Sequence, residues 1–181
     1  MLIKLSNTLN KYAKGWLVFI LFLLDGFFMG YVMPSIGTTM NSTGPIDLLF
    51  FYTPQTAYGM VAAYGEQVRA AYRVTELTVD IIYPIVYTSF FSLLITWLFK
   101  KGFPAESKIQ RLNVVPFGAW LFDLFENLGI VTMLSVYPST PTGVSWLTTI
   151  FTMVKWTFAG AGGLLILVGL VMAVKNKFKP Q

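Results

Sequence analysis

The chain has 181 residues, of which 55% are apolar and only 12% are charged, and its net charge is +5. Because soluble domains carry about 25% charged residues, this composition indicates an integral membrane protein built as one helical unit. The absence of Cys and His excludes thiol catalysis, disulfides, His-based triads and zinc sites of the usual kind.

Four apolar segments are long enough to cross a bilayer, which takes about 20 residues. They predict an all-α, four-helix membrane bundle in a single domain, residues 1–181, with spans at about 16–33, 78–99, 114–136 and 146–174. Lysine and arginine concentrate in both tails and in the connection between the second and third spans. Because positively charged loops stay in the cytoplasm, we expect a multi-pass protein of the cell membrane with both termini cytoplasmic. The same basic residues are expected to meet lipid phosphates, so no nucleic-acid partner is predicted.

The first span is interpreted as a retained helix rather than a signal peptide, because it is long and contains Asp25. The external segment 34–77 begins with the sequence PSIGTTMNSTGPID, which is typical of a loop. From Thr53, which can cap a helix with Pro54 in its first turn, the apolar spacing predicts an amphipathic helix. This helix would lie at the membrane surface or fold over the end of the bundle, with a bend near Thr75.

A row of polar residues, spaced alternately by three and four, would occupy one side of a continuous helix that runs into the second span. The row is Glu66, Arg69, Arg73, Glu76, Asp80, Tyr83 and Tyr87. It is a candidate ligand-binding site, in which Arg69 and Arg73 could hold an anionic head group. The alternative is a solvated edge of ion pairs, each contributing about 0–1 kcal/mol.

Within the second span, Pro84 cannot donate to the carbonyl of Asp80, which predicts a kink. Tyr83 and Tyr87 share the face of Asp80, so this stretch is interpreted as the polar wall of a cavity that opens outward. An interfacial aromatic belt is the alternative, and it explains Tyr83 better than the deeper Tyr87.

The third span contains the strongest single signal, the sequence FDLFENLG. Asp123, Glu126 and Asn127 share one flank of the helix, and Asp25 in the first span is expected at a similar depth. A charge at the centre of a span costs roughly 2.5–3.5 kcal/mol, so these groups should face the bundle interior. Asp123 and Glu126 are the candidate catalytic acid and base, and Asp25 and Asn127 are candidate ligand contacts. The alternative is that protonated acids only hold helices together.

Lys155 is the one basic residue within the spans, and it is a candidate ligand contact. Counting residues from the two ends of the fourth span gives two different depths for it. Counting from Trp146 sets it level with Glu126, whereas counting back from Lys175 sets it near the membrane boundary with Asp80. The neighbouring Trp156 favours Asp80 as the partner. One lysine cannot neutralise the four acids of the spans. At least two of these carboxyls should therefore be protonated, or a cation should occupy the site. That cation could be a proton shared between acids, a hard metal ion or a ligand amine. No dedicated metal site and no cofactor are assigned.

The fourth span contains AGAGG at residues 159–163. Ala159 and Gly163 form a small-xxx-small pair, which predicts close helix packing. A further possibility is that these glycines make room for an acyl chain.

The elements AYR (71–73), DIIYP (80–84), DLFEN (123–127) and KW (155–156) resemble a set found in small bacterial four-span membrane proteins, a family with no established activity. The architecture also resembles the EXPERA group of sterol isomerases and sigma-2-type ligand binders. That second resemblance implies a central pocket whose acids can hold a cation. The absence of His departs from the isomerase pattern and puts that chemistry in doubt.

Three functions remain open. The first is a pocket that binds or acts on a lipid or another apolar or cationic small molecule, and an enclosed acidic cavity would favour it. The second is a proton- or cation-coupled permease, which a path reaching both faces would favour, with homo-oligomerisation because four spans are few. The third is an accessory or assembly subunit, whose acids would line a groove open to a membrane-protein partner.

Overall fold

The structure, a computed structural model, describes residues 2–38 and 43–178, and within these ranges the chain is helical without strands. The α-helices are α1 (Leu2–Tyr12), α2 (Gly15–Phe27), α3 (Met33–Gly37), α4 (Pro54–Leu77), α5 (Val79–Gly102), α6 (Pro116–Val136) and α7 (Thr142–Lys177). A π-helical turn, Phe28–Val32, joins α2 to α3, and short 3₁₀ turns cover Ile46–Leu48 and Lys108–Val114.

Four helical stretches are long and apolar enough to cross a membrane, as the hydropathy pattern predicts. They are Gly15–Gly37, Pro54–Gly102, Lys108–Val136 and Thr142–Lys177. The prediction that the segment from Pro34 to Asp47 is loop was partly wrong, because helical structure continues through α3 to Gly37. Pro34 lies at the start of α3, directly after the π-helical turn in a helical stretch that runs from Gly15 to Gly37, so its missing N–H leaves a carbonyl of the preceding turn without its helical donor. Residues 39–42 of the predicted loop lie outside the described ranges.

Helix α4 begins where the capping signal places it. The Thr53 hydroxyl accepts a hydrogen bond from the Thr56 N–H at 3.2 Å, and Pro54 follows in the first turn. The predicted continuous helix from α4 into the second span was wrong, because Thr78, at φ −128° and ψ −78°, separates α4 from α5. The bend near Thr75 falls instead at Thr78 and at Gly65, whose φ of +70° is accessible mainly to glycine.

Packing between the helices is uneven. The most extensive contacts join α6 to α7 and α5 to α7, whereas α2 packs mainly on α5. Helix α4 and the segment 43–53 cover α6 through a core that includes Tyr52, Tyr72, Ile130 and Met133. We call the end of the bundle where α5 and α7 finish and α6 starts the basic end, because it contains Lys100, Lys101, Arg111 and Lys175 among others.

Glycines at four positions set the closest helix approaches. A Cβ at Gly129 would overlap Thr148, and one at Gly118 would overlap Phe158. In the same way Gly102 faces α7, and Gly169 faces α5. The prediction that Gly163 makes such an approach was wrong, because nothing lies within 4 Å of its Cβ position. Ala159 instead lines a cavity.

Candidate functional site

A cavity of about 570 Å³ lies between the helices at the end opposite the basic end. Its walls combine apolar side chains with a few polar groups, the usual character of a small-molecule site. Six of the predicted site residues line it: Asp80, Tyr83, Tyr87, Asp123, Asn127 and Lys155. The apolar lining includes Met29, Met33, Pro34, Pro84, Phe91, Trp156 and Ala159. Residues far apart in sequence on α2–α3, α5, α6 and α7 therefore converge on one hollow.

Lys155 provides the positive charge of the cavity. Its ammonium Nζ lies 3.2 Å from Asp123 Oδ1 and forms a second ion pair with Glu126 Oε2. The preference for Asp80 as the lysine's partner was wrong, and the physical reason is that α7 starts earlier than predicted, at Thr142. Lys155 is thereby set inside the bundle, level with the third-span acids. Lys155, Asp123 and Glu126 are all buried, so each charge depends on the others for compensation.

Glu126 lies behind the cavity rather than in its wall. Its Oε1 accepts a hydrogen bond of 2.6 Å from the Thr152 hydroxyl, which also lies 3.2 Å from the Tyr52 hydroxyl. Thr149 Oγ1 donates to the backbone carbonyl of Tyr52 at 2.9 Å. These bonds connect α6, α7 and the segment before α4, and they hold Glu126 in one orientation against Lys155.

Asp47 lines the cavity from the segment before α4. The Tyr72 hydroxyl donates to Asp47 Oδ1 at 2.6 Å and accepts from the Ile46 N–H at 3.1 Å. The Asp47 carbonyl accepts from Trp156 Nε1 at 3.2 Å and from Lys155 Nζ at 3.4 Å. The loop is therefore tied to both α4 and α7, and its carboxylate faces the same cavity as Asp80 and Asp123.

Aromatic rings form one wall along α5. Tyr83 stacks on Phe28 of the π-helical turn at 5.3 Å between ring centroids, and Tyr83, Tyr87 and Phe91 follow one another in edge-on contacts of 5.4 and 6.4 Å. Asp25 does not line the cavity, but it lies close enough to Tyr83 for the two side chains to interact. The wall thus joins α2 to α5 and presents ring faces suited to an apolar ligand or a cation.

The structure does not place Arg69 and Arg73 on the cavity. The Arg69 guanidinium lies 4.5 Å from the Tyr137 ring centroid, donates to the Val61 carbonyl at 3.2 Å and pairs with Glu66 at 2.8 Å. Arg73 Nη1 donates to the Leu134 carbonyl at 3.0 Å. Both arginines therefore fasten α4 to the end of α6, and nothing in this arrangement supports the head-group role predicted for them.

Sequence reasoning missed three residues of this region. Asp47 ends the segment that the sequence predicts as loop, and no local spacing connects it with the spans. Tyr72 stands outside the predicted polar row, although its hydroxyl holds Asp47. Glu76 was assigned to a polar row, although its side chain is buried and both its oxygens lack a hydrogen-bond partner among the described residues.

Replacing Glu76 by methionine is expected to leave the protein as stable as the original, or more stable. A buried carboxyl without partners costs about 1–3 kcal/mol or more, and an apolar side chain of similar volume removes that cost. Thermal unfolding in a mild detergent measures the effect. A fall in the unfolding temperature, with the Glu106→Gln variant unchanged, would show that Glu76 has a stabilising partner.

Within residues 2–38 and 43–178, no group of three or more acidic side chains is arranged to hold a metal ion. The fold and the site define an all-helical protein with four helices able to cross a membrane and a cavity that combines carboxyls with one buried lysine. No protein-family model, curated protein or solved structure matches the chain.

Proposed function

We propose that the protein binds an amphipathic small molecule with a cationic head group and an apolar tail in the cavity between α2–α3, α5, α6 and α7. In this proposal the protein lies in the cell membrane, both termini and the basic end face the cytoplasm, and the cavity lies towards the outer side. Helix α4 serves as an amphipathic cover over that side. The resemblance to the EXPERA architecture, which implies a central pocket whose acids can hold a cation, agrees with a ligand-binding pocket of this kind.

The charge balance of the cavity is the observation that carries the proposal. Asp123 and Glu126 already compensate Lys155. Asp47 and Asp80 also line the cavity and form no ion pair within the described residues. They are close enough to interact electrostatically, so a cation held beside them would relieve their repulsion. The aromatic and methionine side chains around them would accommodate an apolar tail.

The shape of the cavity favours binding over transport. On α5 the lining residues run from Asp80 to Phe91, and α5 continues to Gly102 at the basic end. A permease requires a path to both faces of the membrane, whereas the residues that line this cavity lie at one end of the bundle only. An accessory role would leave the acids open to a partner, whereas here Asp123 and Glu126 are buried and Asp80 is half-buried. Asp123 and Glu126 could act as acid and base on a bound ligand, but their ion pairs with Lys155 fit a supporting role better.

Binding of dodecylamine and of dodecanol to the purified protein tests the proposal, because the two probes share one tail and differ in head-group charge. Isothermal titration calorimetry in a non-ionic detergent should show the amine binding at least about tenfold more tightly. Asp80→Asn should weaken amine binding by about tenfold and leave dodecanol binding unchanged. Glu106→Gln, which removes an acid at the basic end, is the matched control and should change neither. Equal affinities for the two probes, or an unaltered amine affinity in Asp80→Asn, would overturn the proposal.

A further inference from the structure

A second hollow lies at the basic end, far along α5 from the cavity described above. It is a crevice of about 430 Å³ between α1, the end of α5 and the 3₁₀ turn Lys108–Val114. Four of its six lining residues are polar: it is lined by Asn7, Asn10, Lys100, Phe103, Ala105 and Gln110. These residues come from α1, the end of α5, the connection that follows it and the 3₁₀ turn, so the crevice depends on how α1 is docked.

Side-chain hydrogen bonds hold these elements in place. Asn113 Nδ2, in the 3₁₀ turn, donates to the Thr96 hydroxyl at 3.0 Å and to the Ser6 carbonyl at 3.4 Å, and Ser6, Thr96 and Asn113 are all buried. Lys100 Nζ donates to the Asn10 carbonyl. The crevice is therefore a constructed feature that joins α1 to α5 and not a gap left by loose packing.

Gln110 supplies an unused acceptor in the crevice. Its side-chain amide donates to the Phe99 carbonyl at 3.1 Å, which fixes the orientation of the group. The residue is 6% exposed, yet its Oε1 has no hydrogen-bond partner among the described residues. A buried amide oxygen without a partner is unfavourable, so a ligand that donates a hydrogen bond to it would remove that penalty.

Lys100 supplies the positive charge. Its ammonium has three donors, and the Asn10 carbonyl takes one of them, which leaves two for a ligand. The neighbouring Lys101 is engaged differently, because its ammonium lies 3.6 Å from the Trp97 ring centroid. Glu106 is the one acidic residue of the segment 81–122, while Lys108 and Arg111 add positive charge beside the crevice. An anion is the ligand that this charge distribution favours.

We propose that this crevice binds the head group of a phospholipid whose phosphodiester is anionic and whose head carries a free hydroxyl, as in phosphatidylglycerol. The Lys100 ammonium holds a phosphate oxygen, and the head-group hydroxyl donates to Gln110 Oε1. Helix α1 and Phe103 border the site where the acyl chains leave it. This site is separate from the acidic cavity, so either proposal can fail without the other.

Native mass spectrometry of the full chain tests the assignment after reconstitution with equal parts of phosphatidylglycerol, phosphatidylethanolamine, phosphatidylcholine and phosphatidylmethanol. The unaltered protein should retain phosphatidylglycerol preferentially. Phosphatidylmethanol has the same charge but no hydroxyl, so its weaker retention reports on Gln110 Oε1. Equal retention of these two lipids would overturn the hydroxyl contact, and preferential retention of phosphatidylethanolamine would overturn the choice of an anionic lipid.

Two lysine variants separate a defined site from diffuse attraction. Lys100→Gln should reduce the retained phosphatidylglycerol by about tenfold, while Lys177→Gln, a change at the same end but outside the crevice, should leave it unaltered. Equal losses in the two variants would overturn the proposal in favour of general attraction to the basic end. Gln110→Met should abolish the preference for phosphatidylglycerol over phosphatidylmethanol. If that variant does not fold, the comparison of the two lipids on the unaltered protein still decides the point.

Discussion

Replacing Lys155 by methionine should lower the free energy of unfolding by about 3–5 kcal/mol, the largest effect we expect from a single change in the site. The ammonium is buried between Asp123 and Glu126, and no other basic side chain forms an ion pair with either acid in the described part of the chain. Its removal leaves two buried carboxylates that must be protonated or repel each other. The yield of folded protein in detergent and its thermal unfolding temperature measure the loss.

The control combines Lys155→Met with Asp123→Asn and Glu126→Gln, which removes all three charges together. Because the cost comes from uncompensated charge and not from the missing side-chain volume, this triple variant should recover most of the stability. The amide introduced at position 126 would keep an acceptor for the Thr152 hydroxyl. A single Lys155→Met variant that unfolds like the unaltered protein would contradict the buried ion-pair arrangement.

Replacing Gly129 by alanine should lower the free energy of unfolding by about 1–3 kcal/mol. The added Cβ would overlap the side chain of Thr148 at the contact between α6 and α7. Thr148 is buried, and its hydroxyl donates to the Val144 carbonyl at 2.8 Å, so this short side chain has little freedom to move away. The two helices must therefore separate where they pack most extensively. Unfolding by titration with a denaturing detergent measures the change.

Gly160→Ala is the matched control on α7, because nothing lies within 4 Å of a Cβ at Gly160. Alanine is favoured over glycine inside a helix by up to about 1 kcal/mol, so this variant should be as stable as the unaltered protein or more stable. The two glycine-to-alanine changes are thus expected to act with opposite sign. A Gly129→Ala variant at least as stable as Gly160→Ala would mean that α6 and α7 do not approach as closely as described.

Hydropathy alone predicted the four long apolar helices, and helical spacing placed Asp80, Asp123 and Asn127 on faces that meet in one cavity. Both signals are local, one a continuous apolar run and the other a helical spacing, so a single sequence contains them. The ion pairs of Lys155 were not predictable in the same way. Because α7 covers Thr142–Lys177, it exceeds a bilayer span, and its register against α6 depends on contacts such as Gly129 with Thr148.

Long-range contacts explain the remaining differences. Asp47 reaches the cavity because Tyr72 and Trp156 hold its loop, and both residues are distant from it in sequence. The small-xxx-small pattern at Ala159 and Gly163 describes two small residues on a helix but not which neighbour faces them. Gly118 and Gly129, which do meet a neighbour, stand in no comparable pattern, whereas Gly169, which also meets one, has Ala173 four residues on. How closely two helices approach depends on the residues of the neighbouring helix as well, and the spacing within one helix does not describe these.

The dependence of α2 on α5 has a consequence for biosynthesis. Synthesis proceeds from the N-terminus, so α2 is made well before α5, its main packing partner. Asp25 has Tyr83 beside it only once that later helix has been made. A lone carboxyl within an inserted helix costs roughly 2.5–3.5 kcal/mol, so α2 is held least firmly in the bilayer until α5 follows it. The helix α2 should therefore be extracted from the membrane most easily in ribosome-bound chains that end before Tyr83.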